Sequence, residues 1–489
     1  MSPTLVVSIL ASYFVVLLLI SYFTSRNATS ETFFTANRQS PWYLVAYGMI
    51  GASLSGVTFI SVPGEVGTNG FAYFQMVIGY LLGYLVIATV LMPLYYRLQL
   101  VSIYTYLEKR FGYWSYKTGA FFFLISRIIG SSFRLFLVAG VLQLALFDAW
   151  GIPFSVTVMV TIILIWLYTF KGGIKTVVWT DTLQTTFMLL AVVTSIYLIS
   201  DELNLGFSSM ISTIRESDYS NTFIWEWTAG RNFFKQFFSG AFIAIVMTGL
   251  DQDMMQKNLT CRNLKEAQKN VFWFSIVLVI VNLFFLSMGA LLYIYCQQKG
   301  ITLPDRTDNL YPLLALEHFP TIAGVLFLLG ITAAAYSSAD SALTSMTTSF
   351  CVDFLEQPNA SKKTRNKVHV GFSFILFVVI LIFHAINDSS VISSVFTAAG
   401  YTYGPLLGLY AFGMFTNRNV KDNWVPLIAL TSPVISYLLK NNSETWLWGY
   451  KFGFEILIVN GFLTFIGLWA VSNQSDVKVR SKKEVVMNT

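Results

Sequence analysis

The chain has 489 residues, of which 55% are hydrophobic, 16% aromatic and only 11% charged. That balance excludes a soluble domain of this size and describes an all-α polytopic membrane protein. A net charge of +6 raises the question of an anionic partner, but loop placement accounts for it and no nucleic-acid surface is expected.

Thirteen apolar segments follow one another, at roughly 4–24, 42–66, 71–96, 118–147, 152–170, 176–200, 234–256, 270–297, 318–352, 368–386, 390–415, 423–440 and 450–472. Only the connections 201–233 and 298–317 are long, and neither holds a separate domain. The first segment lacks a basic start and a clear small-residue cleavage site, so it reads as a retained helix and not as a signal peptide. Assigning alternate connections to two sides puts twenty-two Lys and Arg on one side and seven on the other, with Arg127 and Arg134 inside a segment. The basic side is expected to be cytoplasmic, with the N-terminus outside and the C-terminal tail inside.

The second segment carries GMIGASLSGVTFISVPGEVG, with Gly48, Gly51, Gly56, Pro63 and Gly64. Glycine and proline at membrane depth point either to a broken helix with unpaired carbonyls lining a cavity, or to close packing through Gly51, Ser55 and their neighbours. Arg127 and Arg134 follow on the fourth segment, seven residues apart and therefore on one helical face. Two arginines in a membrane need acids, carbonyls or an anionic ligand.

Asp181, in KGGIKTVVWTDTLQ, reads either as a helix-start cap or as a cation ligand. Asp251 and Asp253, in MTGLDQDMMQKN, read as a helix-end feature or as cavity-lining groups, with Asp253 the more interfacial of the two. The stretch Ile331 to Ser349, ITAAAYSSADSALTSMTTS, holds the candidate ion site. As a helix it sets Ala334, Ser337, Ser338, Ser341 and Ser345 on one face, with Asp340 in the same stretch. Hydroxyls and a carboxylate are hard oxygen ligands suited to a hard cation. The plainer reading is that small residues pack helices closely and hydroxyls bond back to their own helix. The eleventh segment, with Gly400, Gly404, Pro405 and Gly408, is a further softened helix. The tail from Asn473 is polar and is expected to be disordered. The three cysteines, Cys261, Cys296 and Cys351, make no disulfide framework. The three histidines are scattered, so a transition-metal centre is not expected. No zincin motif and no GxSxG point to an enzyme.

At GASLSGVTF, LEKRFG, GGIKTVVWTD and AAAYSSADS the chain resembles the sodium/solute symporter family, which includes carriers of sugars, proline, sialic acid, iodide and vitamins. The resemblance spans nearly the whole chain. It implies a five-plus-five inverted-repeat (LeuT-like) core, with a first repeat over 42–200 and a second over 234–416. Around that core lie an N-terminal extra helix and link over 1–41, an outer loop over 201–233, two further helices over 417–472 and a tail over 473–489.

The resemblance also implies a Na+ site made by the carbonyls of Gly51, Leu54 and Ala334 and the hydroxyls of Ser337 and Ser338. Some members hold a second cation, which here would fall to Asp181, Ser337 and Ser341. Asp340 stands where the sialic acid carriers have a serine, so it would serve a second cation or a proton. The glutamine and glutamate with which sugar carriers read hydroxyls correspond here to Thr58 and Val77. The substrate candidates are therefore Ser53, Ser55, Thr58, Gln75, Arg127, Arg134 and Asp251. Asp251 replaces an asparagine of relatives and fits an anion poorly. The expected function is sodium-coupled import of a small organic anion by alternating access. A sugar or polyol symporter is the alternative, and a passive channel or facilitator the rival from another class. The expected partners are sodium, the solute and membrane lipid, with the chain a monomer or weak oligomer.

Overall fold

The computed structural model describes residues 3–25, 36–169, 173–358, 360–386 and 390–473. The tail beyond 473, residues 31–35 of the first link and Gly172 of the GGIKTVVWTD run lie outside them. Among the described residues, seven helices are long and apolar enough to cross a membrane, and two bent helix pairs pass the same test together. Shorter apolar helices at Phe154–Leu167, Val391–Thr402, Gly404–Phe415 and Ile456–Ala470 fill other expected segments. The long connections carry short helices of their own, Phe207–Glu216 in the first and Thr307–Asn309 in the second.

The two bent pairs organise the molecule. Trp42–Leu54 and Gly56–Asn69 meet at 53°, and Phe233–Gly249 and Gln252–Asn258 at 70°. The first break falls at Ser55, between Gly51 and Gly56, while Pro63 sits inside an unbroken helix. The second follows a π-helical turn, Ile245–Gly249, that already loosens the regular ladder.

Their backbones are satisfied differently. At the second break the Tyr95 hydroxyl donates to the Gly249 carbonyl (2.8 Å) and the Tyr104 hydroxyl to the Leu250 carbonyl (3.0 Å). The Asp251 carboxylate there accepts the amides of Asp253 (2.9 Å) and Met254 (3.4 Å) as a helix cap. At the first break Ser55 gives the second half no side-chain cap. A helix end leaves its last carbonyls without intrahelical donors, so those of Gly51 to Leu54 remain acceptors for something else.

Between the breaks runs the serine-rich helix Thr321–Ser349, in which every residue from Gly330 to Ser349 is buried. No lipid-facing side is left on that half, which explains its density of small and polar residues. It lies beside helix Gly173–Glu202, and the latter also packs on the first broken helix. There Gly51 matters sterically: a Cβ at that position would stand 2.3 Å from the Thr185 Oγ1. The same threonine accepts the Gly51 amide at 3.1 Å. Both readings of Gly51 therefore hold, since the helix breaks just beyond it and packs closely through it.

A candidate cation site and solute cavity

The serine helix brings hydroxyls of two kinds to its buried face. Ser345, Thr347 and Thr348 bond back to carbonyls of their own helix at 3.0, 2.6 and 2.8 Å, as hydroxyls in apolar helices commonly do. Ser338 and Ser341 do not, and their Oγ atoms are buried without a hydrogen-bond partner. A buried hydroxyl left unbonded is costly, and a cation is one way to satisfy its oxygen. Ser337 donates to Asp181 Oδ1 at 2.5 Å, which leaves its lone pairs to accept from elsewhere. Ser338 thus keeps an unused oxygen, and the carbonyls of Gly51 and Leu54 at the end of the first half-helix are acceptors of the same hard type. The donor set fits Na+.

Asp181 lies well inside helix Gly173–Glu202, so it is not a helix-start cap. Its Oδ2 is 2.7 Å from the Nζ of Lys257, and both side chains are 1% exposed. Lys257 belongs to the short helix Gln252–Asn258 beyond the second break. Lys257 is one of the twenty-two basic residues counted on the cytoplasmic side, and that placement is corrected: its charge is spent inside the protein. Lysine four residues after Asp253 in QDMMQKN looks like an interfacial end, and only the 70° turn at Asp251 carries it inward. Asp340 is wholly buried and lies close enough to Lys257 to act on its charge.

The central cavity, of about 90 Å³, lies against the first break. Ser53, Ser55, Thr58, Arg127 and Arg134 line it, and the Tyr73 and Phe396 rings stack beside it at 6.3 Å. The two arginines differ sharply. Arg127 Nη2 is 2.6 Å from both Asp251 Oδ1 and Asp253 Oδ2, and the Tyr403 hydroxyl donates to the other oxygen of Asp251. Asp253 is therefore a buried ion-pair partner, not an interfacial charge. Asp251 does not line the cavity, and it shares Arg127 with Asp253, so one guanidinium faces two carboxylates. Arg134 forms no ion pair among the described residues, and its Nε is buried without a partner.

Gln75 is also corrected. It does not line the cavity. Its amide donates to the carbonyls of Ala72 and Arg231, both at 3.1 Å, and accepts the Ile224 amide at 3.1 Å, holding the long connection onto the helix.

Two broken helices and a polar cavity lined by two arginines at the first break are the architecture of a membrane transporter. The sodium:solute symporter family model matches residues 33–422, and the chain belongs to that family. It is 25% identical over 460 residues to the sodium/sialic acid symporter NanT of Aliivibrio fischeri, covering 91% of this chain and 89% of the relative. It is 26% identical over 426 residues to the sodium/sialic acid symporter SiaT of Proteus mirabilis, covering 84% of each. A solved Na+-coupled sialic acid symporter in a substrate-bound outward-open state superposes with a TM-score of 0.80 at 22% identity, covering 96% of this chain and 99% of the other. The architecture is accordingly the LeuT-like transporter fold.

Proposed function

We propose that this protein is a sodium-coupled symporter that imports a small organic anion, of the acidic-sugar or monocarboxylate type, by alternating access. The observation that carries the solute class is the contrast between two arginines on one face of one helix. Arg127 is held at ion-pair distance by two carboxylates, while Arg134 lines the cavity and forms no ion pair among the described residues, with Asp251 and Asp253 reaching it only at longer range. Guanidinium cannot shed its charge, and a carboxylate is its natural planar partner. The sialic acid symporters among its relatives support the same class.

Sodium is held by the carbonyls of Gly51, Leu54 and Ala334 and the hydroxyls of Ser337 and Ser338, at the joint between the first broken helix and the serine helix. Binding there favours one arrangement of the two helix sets, which is the requirement for coupling. The five-plus-five division at 42–200 and 234–416 is proposed as the moving unit, and the two breaks as its pivots. The protein is placed in the plasma (inner) membrane with its N-terminus outside, on the strength of the basic-residue asymmetry.

The test is thermal stabilisation of the purified protein by neutral sugars, carboxylated sugars and small monocarboxylates, each in sodium and in potassium. Stabilisation by a carboxylated solute in sodium, lost in Arg134→Gln, is the expected result. Stabilisation by neutral sugars alone would discard the anion, and no difference between sodium and potassium would discard the coupling.

A further inference from the structure

The Asp181 carboxylate, where relatives of this family place a second cation, is already served by donors of this chain. The Lys257 Nζ meets Oδ2 at 2.7 Å, and the Ser337 Oγ meets Oδ1 at 2.5 Å. The Gln184 amide, turned with its nitrogen toward the carboxylate, donates to Oδ1 at 3.2 Å and to the Thr180 carbonyl at 3.3 Å. All of these side chains are buried. A sodium ion at Asp181 would have to displace a lysine that is itself buried, and two cations within contact of one carboxylate repel at low dielectric.

We propose that Lys257 is a resident cation of the Asp181 site, so that the protein binds one sodium ion and not two. The lysine comes from the second broken helix, Asp181 from the helix packed on the first, and Ser337 from the serine helix that also serves the sodium site. The pair therefore ties the two sets of helices together at the place where a second ion would otherwise do so. It leaves Ser337 bonded to Asp181 on one side and free to ligate sodium on the other. Asp181 then acts as a positioning residue for the single sodium site. One sodium carried with one monovalent carboxylate moves no net charge, whereas two would move one positive charge per cycle.

This inference rests on the symporter reading for the sodium site itself, and the experiment separates the two. Bound sodium-22 is counted on the purified full-length protein at saturating sodium without any solute, for wild type, Lys257→Met and Asp181→Asn. One ion on wild type, two on Lys257→Met and one on Asp181→Asn are the expected counts. Two ions on wild type, a count that stays at one in a folded Lys257→Met, or a count that falls to zero in Asp181→Asn while wild type holds one, would each overturn the resident-cation proposal. If Lys257→Met does not fold, the wild-type and Asp181→Asn counts still decide. No sodium on any form would instead remove the sodium site and the symporter reading with it.

Discussion

Arg127 and Asp251 join the long helix Tyr113–Leu142 to the second broken helix through a 2.6 Å contact between Nη2 and Oδ1, with the two side chains 4% and 0% exposed. The same carboxylate caps the helix beyond the break and accepts the Tyr403 hydroxyl from the segment between Val391–Thr402 and Gly404–Phe415. Three parts of the molecule thus meet on one aspartate. Removing the Asp251 carboxylate leaves Arg127 with Asp253 alone and takes away the helix cap and the Tyr403 acceptor; a lost bond to a charged group costs about 1.5–3 kcal/mol. Asp251→Ala is expected to lower the melting temperature markedly. Asp251→Asn, which keeps a good capping side chain, should cost less. Equal melting temperatures for wild type and Asp251→Ala would show that the pair contributes nothing.

Ser338 and Ser345 lie on the same helix and differ in what their oxygens do. Ser345 bonds back to Ala342, whereas the Ser338 Oγ is buried and unbonded. A ligand to a charged group is worth roughly 1.5–3 kcal/mol, a factor of about ten or more in affinity. Ser338→Ala should raise the sodium concentration needed for half-maximal stabilisation by that factor, and Ser345→Ala should leave it nearly unchanged. An unaltered sodium titration in Ser338→Ala would take that residue out of the site.

Helices Tyr73–Val86 and Phe233–Ala244 approach through glycine. A Cβ on Gly240 would stand 2.0 Å from the Met76 carbonyl oxygen, and one on Gly79 the same distance from the Phe237 carbonyl oxygen. Backbone cannot swing aside as a side chain can, so Gly240→Ala should cost about 1–3 kcal/mol or more by overpacking. Gly130, on helix Tyr113–Leu142, has nothing within 4 Å of its Cβ position. There alanine should be neutral or favourable by up to about 1 kcal/mol, from helix propensity alone. The two melting temperatures, compared side by side, check the packing; a harmless Gly240→Ala would contradict it.

Gln75 holds the connection between Gly173–Glu202 and the second broken helix by two hydrogen bonds, to the Arg231 carbonyl and from the Ile224 amide. Gln75→Ala leaves the Ile224 amide and the Arg231 carbonyl without that partner. It should speed hydrogen exchange across residues 221–232 and leave solute affinity unchanged. A loss of solute affinity with unaltered exchange would return Gln75 to the binding site.

Much of this protein was legible in order along the chain. Apolar segments long enough for a bilayer, glycines clustered around Ser55, and serines at helical spacing after Gly330 are local properties of sequence, and local chemistry determines them. The family resemblance put Asp181 and Ser337 side by side, and their side chains do meet, because those motifs are short and specific. Partnership was not legible. Arg127 and Arg134 have the same residue type, the same helix and the same face, yet one is held in an ion pair and the other forms none among the described residues. Lys257 and Asp253 read as a basic loop and an interfacial acid until the 70° break turned both inward. Gln75, polar and close to the break, pointed to the cavity and instead holds a loop. By itself the sequence determined the class of protein, the positions where helices weaken and the supply of hard oxygen ligands. Which charge meets which, and which hydroxyl stays unbonded, was decided only in the tertiary structure, because pairing depends on residues scores of positions apart and on the angle at which a broken helix resumes.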